Sequence, residues 1–159
     1  MGKLIGIVAV ILIIVLGWQG VQFFSNVKEP IRQGEMVALN YLKENIELPE
    51  IIHTDFYHGT ESYYVFQGID ELGEELIIWI SSTLDSYLIK PKNEGISFDD
   101  ALLFTKQELN PKQLISIKLG MENKVPLYEI IYKDQQERYS YYFISFKDGS
   151  YLKHHHLGL

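Results

Sequence analysis

A chain of 159 residues, 47% hydrophobic and with a formal net charge of −7, has apolar material for one or two small folded units. The acidic balance argues against nucleic acid as a partner, because binding phosphate requires a basic face. With no cysteine, the chain can form no disulfide, thiolate metal site, cysteine nucleophile or lipid thioether.

The stretch from Leu4 to Trp18 carries no charged or strongly polar group, and the apolar run continues to Phe24 with Gln19 and Gln22 as interruptions. Roughly 20 apolar residues cross the hydrocarbon as a helix, so a membrane anchor is expected within residues 1–25. A cleaved signal peptide would need small residues at a cleavage site, and Val15-Leu16-Gly17 lies too early to supply one. Lys3 faces Lys28 and Arg32 across the span, which nearly balances the charge rule for orientation. The short lead before Lys3 suits a signal-anchor that leaves the body outside the cell.

After the anchor the sequence repeats. "ALNYLKENI", Ala38 to Ile46, returns as "ALLFTKQEL", Ala101 to Leu109, and Ile51-Ile52 returns as Leu114-Ile115. One residue is added near "MENK", after which Tyr64 matches Tyr128, Phe66 matches Ile130, Asp70 matches Asp134, Trp79 matches Phe143, and "SYL" at Ser86 matches "SYL" at Ser150. Two copies of one unit, 26–91 and 92–159, are therefore expected, joined by "PKNEG".

Each copy reads as a helix followed by about four antiparallel strands, an α+β arrangement. The first helix is expected to start near Ser25 or Asn26 with Pro30 in its first turn; Ser97, with Asp100 three residues on, announces the second. Strands are expected at Ile51–Tyr57, Ser62–Ile69, Glu75–Ser81 and Tyr87–Ile89, with equivalents bounded by "GMENK", "DQQE" and "KDGS". Such short joins make neighbouring strands antiparallel. Alternation then places Ile52, Thr54 and Phe56, like Ile115, Ile117 and Leu119, toward the helix, and turns His53 and Asp55 away.

The third strands are apolar on both faces. Ile78, Ile80, Tyr142, Ile144 and Phe146 lie on one side, and Ile77, Trp79, Tyr141 and Phe143 on the other. A half-exposed antiparallel strand would show a polar outer face, so Ile77, Trp79, Tyr141 and Phe143 are expected to form an interface, between the two units or with a partner.

Catalytic patterns are missing. No G-x-S-x-G elbow, H-E-x-x-H helix or glycine-rich phosphate loop occurs, so the chain reads as a non-enzyme without a cofactor. His53, Asp55 and His58 are metal-ligand types at close spacing, but no further ligand accompanies them and a solvated strand face accounts for them. The run His154 to His156 reads as a polar chain end on a final strand. Glu74/Glu75 and Asp99/Asp100 sit at a turn and a helix start, where acids are ordinary.

The anchor, the tandem units, "YYVFQGIDELGEELIIWI", the linker "NEGIS" and "LYEIIYKDQQERYSYYFISFKDGSYL" together resemble the TseB (YpmB) family of Gram-positive bacteria. That resemblance implies a single-pass membrane protein with two extracytoplasmic PepSY-like, cystatin-like units. It implies regulation of cell-wall elongation through a penicillin-binding protein, a class B transpeptidase, with no catalytic residues to carry over. "YFISFKDGSYL" resembles the strand, turn and strand that end a PepSY unit, whereas "STLDSYL" in the first copy lacks the glycine. The same domain resemblance leaves open an extracellular peptidase inhibitor.

Overall fold

The computed structural model describes residue 29 and residues 31–46 and 50–157. The expected anchor, Leu4 to Phe24, and the expected helix start lie outside these residues. Among the described residues no helix is long and apolar enough to cross a membrane. The chain divides into two compact units, Met1–Val37 and Ala38–Leu159. In the first, residues 29 and 31–37 are helical, with Arg32 Nη2 on Glu29 Oε2 at 3.0 Å.

The second unit opens with helical residues 38–45, α1. Ala38, Leu42 and Ile46 recur four residues apart and fall on one side of the helix, and they are buried against Tyr64, Phe66, Ile78 and Ile80. These come from the first sheet, whose strands β1 (Glu50–His58), β2 (Ser62–Ile69), β3 (Glu75–Ser81) and β4 (Tyr87–Pro91) pair antiparallel in chain order. The second copy follows the same plan. After α2 (Phe98–Phe104) come β5 (Gln113–Glu122), β6 (Val125–Lys133), β7 (Tyr139–Ser145) and β8 (Tyr151–Leu157), again paired in order. The architecture is thus α+β, two four-stranded antiparallel sheets each with its helix.

The start of α2 is built as its residues predict. Ser97 Oγ accepts from the Asp100 backbone N–H at 3.1 Å, and the Asp100 carboxylate accepts from the Ser97 N–H at 3.0 Å, a reciprocal capping box. Beyond Phe104 the backbone widens to a π-helical segment, Thr105–Leu109, where Thr105 Oγ1 donates back to the Ala101 carbonyl at 2.7 Å. Asn110, at φ 43°, ends it in the left-handed region. Ser97→Ala removes the cap from a seven-residue helix and is expected to cost about 1 kcal/mol, read as a lower urea midpoint with an unchanged slope.

The repeat extends to backbone detail. Asp70 accepts from the N–H groups of Leu72 and Glu74, and Asp134 accepts in the same way from Gln136 and Arg138. The left-handed residue of each turn is Gly73 (φ 85°) in one copy and Glu137 (φ 65°) in the other. The β3–β4 and β7–β8 turns are both closed by a serine pair, Ser81 N–H to Ser86 O at 3.0 Å and Ser145 N–H to Ser150 O at 2.8 Å. Their left-handed residues differ: Gly149 (φ 70°) serves the second, while Leu84 (φ 60°), one place earlier, serves the first.

One expectation is corrected. Ile52 and Ile115 do not face their helices; they are 56% and 43% exposed. Each occupies a β-bulge, between Ile51 and His53 in β1 and between Leu114 and Ser116 in β5. The extra residue shifts the alternation by one, so Ile51 and Leu114 pack inward instead.

Candidate functional site

The two faces of β3 separate as its residue pattern predicts. Ile78 and Ile80 meet α1, whereas Ile77 and Trp79 belong to a second, larger cluster that also holds Tyr57, Tyr63 and Val65 from the first sheet and Leu119, Leu127, Tyr128, Phe143 and Phe146 from the second. Trp79 is fully buried, with its ring edge-on to Phe146 at 5.6 Å between centroids. Ile77 is 1% exposed and Phe143 3%, while Tyr141 stays partly exposed beside them.

A polar chain crosses this seam. Tyr57, near the end of β1, lays its ring over Gly120 of β5, where a Cβ would come within 2.4 Å of it. Its hydroxyl donates to Glu122 Oε1 at 2.8 Å, and Lys153 Nζ of β8 donates to both Glu122 oxygens at 2.6 Å. Lys153 in turn lies 4.2 Å above the Phe143 ring, a cation on the negative face of an aromatic. Burial by itself raises the Glu122 carboxyl, but the Lys153 ammonium and the Tyr57 hydroxyl outweigh it and hold the group below its ordinary value. Tyr57 moves strongly upward, through burial first and then its bond to a carboxylate.

Beyond the seam the outer face of the second sheet continues as stacked rings. His155 lies parallel to Tyr141 at 5.2 Å and against Phe143 at 5.5 Å. Glu129, opposite Phe143 in register, is pushed upward by burial despite the Lys118 and Lys153 cations nearby. The histidine run thus lies on the final strand, as expected, and that strand is paired with β7. His154 points to the other side, where it stacks on Tyr132 at 6.4 Å and is held below its ordinary value by burial and by its histidine neighbours. His156 accepts or donates at Ser140 Oγ, 2.7 Å away.

The other candidate residues are brought together only in part. His53 Nε2 and Asp55 Oδ2 are 2.9 Å apart on the exposed face of β1, whereas His58 turns to Ser62 Oγ at 2.8 Å. Among the described residues no three His, Cys, Asp or Glu side chains are placed to hold a metal ion. What residue patterns missed is the set Tyr57, Gly120, Glu122 and Lys153. Glu122 belongs to "GMENK", whose residues suggest a turn although β5 runs through it, and no local signal marks Lys153.

Comparison with known proteins bears directly on this arrangement. A family model described as "Cell wall elongation regulator TseB-like domain" matches residues 38–81, from the start of α1 to the end of β3. Over 122 residues the chain is 30% identical to the probable cell wall elongation regulator TseB of Bacillus subtilis (strain 168), covering 76% of each. The solved YpmB protein from Bacillus subtilis is similar at a TM-score of 0.70 and 29% identity, across 77% of this chain and 96% of that one. With this identity and coverage, the chain belongs to the TseB family of cell wall elongation regulators.

Proposed function

We propose that the chain is a non-enzymatic, membrane-anchored regulator that sits outside the cell and docks on a class B penicillin-binding transpeptidase. The observation that carries this reading is membership of a family named for regulating cell wall elongation, in a chain whose described residues gather aromatics from both sheets into one buried cluster. The apolar run from Leu4 to Phe24 would hold the two sheets at the outer membrane face, which raises their effective concentration near any co-anchored enzyme. Binding would then bias the enzyme toward the conformation the sheets fit better.

Of the four residues expected at an interface, Ile77, Trp79 and Phe143 are buried in the cluster that both sheets share. Tyr141, with His155 stacked on it, is the portion of that face available for docking. The test is photocrosslinking in intact cells from a benzophenone side chain at Tyr141 and, separately, at His155. Capture of a penicillin-binding transpeptidase from either position is the expected result. Adducts confined to the protein itself would overturn the docking face, and capture of an extracellular peptidase would favour the inhibitor reading.

A further inference from the structure

Within the second unit, residues of three turns surround an open cleft of about 670 Å³. The first sheet contributes Thr60 and Glu61 from the β1–β2 turn, Ser62 and Tyr63 from the start of β2, Ser81 from the end of β3, and Ser82, Thr83, Asp85 and Ser86 from the β3–β4 turn, while the second contributes only Lys124. This volume falls within the roughly 300–1,000 Å³ of small-ligand sites. A smaller hollow of about 200 Å³ adjoins it, shares Tyr63, Ser86 and Lys124, and adds Tyr87, Leu88 and Met121 as an apolar lining.

The charges in the cleft are arranged rather than scattered. Both carboxylates are held in place by hydroxyls: Tyr63 donates to Glu61 at 2.5 Å, and Ser81 and Ser86 donate to Asp85 at 2.7 and 3.1 Å. Lys124 enters from the other sheet, on a two-residue turn with Asn123 at φ 49° and Lys124 at φ 64°, both left-handed. Its ammonium has no hydrogen-bond or ion-pair partner among the described residues, although two carboxylates line the same cleft.

We propose that this cleft binds a short peptide that carries both a free ammonium and a free carboxylate. A simple anion would be repelled by Glu61 and Asp85, and a simple cation would meet Lys124; a zwitterion satisfies both walls at once. The ammonium goes to the acceptor-rich wall of Glu61, Asp85 and the serine and threonine oxygens, the carboxylate to Lys124, and an apolar side chain to the hollow beside Leu88 and Met121. A sugar fits this lining less well. The cleft has no Asn, Gln, Arg or Trp, and its one aromatic, Tyr63, is 3% exposed with its hydroxyl already committed to Glu61. The assignment is independent of which enzyme the protein regulates.

The test is isothermal titration of the full chain in detergent micelles with the tripeptide alanyl-leucyl-alanine, its N-acetylated and C-amidated forms, and chitotetraose. Saturable one-to-one binding of the free tripeptide near ~1 mM or tighter is expected, weakened about tenfold by blocking either end. Lys124→Gln should abolish the effect of C-amidation and keep that of N-acetylation, and Glu61→Gln the reverse. Equal binding of free and blocked peptides, binding of chitotetraose alone, or no saturable heat with any probe would each overturn the proposal.

Discussion

Trp79→Ala is expected to destabilise the protein by about 3–5 kcal/mol and to lower its melting temperature by on the order of 10 °C. The indole is fully buried in the cluster shared by both sheets and packs edge-on against Phe146. Phe146 itself lies against the Gly95 backbone, where a Cβ would stand only 2.4 Å from its ring. Trp79→Phe should cost much less than its lost volume suggests. Indole Nε1 is buried without a hydrogen-bond partner among the described residues, and phenylalanine removes that unsatisfied donor. Urea denaturation of the full chain in detergent, followed by circular dichroism, gives both numbers. A loss below about 1 kcal/mol for Trp79→Ala would mean that the seam does not tie the sheets together.

The residue pattern alone makes the place of the indole partly legible. The run Ile77 to Ile80 is apolar on both faces, and its two faces do go to separate clusters, one under α1 and one at the seam. The tandem repeat was legible too, down to Asp70 and Asp134 in matching turns. The bulges were not. Ile51-Ile52 and Leu114-Ile115 each offer two adjacent apolar residues, and period-two alternation cannot decide which turns inward when one extra residue breaks the register. Nor could the pattern show the left-handed residue of the β3–β4 turn: no glycine marks Leu84, which is held where Ser81 Oγ donates to Asp85 and accepts from its N–H. The seam network was hidden for another reason. Tyr57 and Glu122 are 65 positions apart, and Glu122 and Lys153 are 31 apart, so nothing local couples them.

Gly120→Ala tests that network, and it is expected to cost about 3 kcal/mol although it adds one methyl group. Gly120 needs no unusual backbone angle; the constraint is space. Three Tyr57 ring carbons lie 2.4–2.6 Å from where the Cβ would be, and Gly59 faces the same side chain, with the Tyr57 hydroxyl 2.6 Å from its own missing Cβ. The tyrosine is thus sandwiched between two glycines. A methyl group at position 120 would drive the ring off and break its 2.8 Å hydrogen bond to Glu122. Loss of packing alone would contribute about 1–3 kcal/mol, and loss of a bond to a charged acceptor about 1.5–3. A double-mutant cycle separates this displacement from generic overpacking. Tyr57→Phe by itself should cost about 1.5–3 kcal/mol by deleting the donor, but almost nothing in the Gly120→Ala background, where the bond is already broken. If the two costs simply add, the ring has kept its hydrogen bond and the methyl group has been absorbed elsewhere; if they do not, Tyr57 is held in reach of Glu122 by the missing side chain of Gly120.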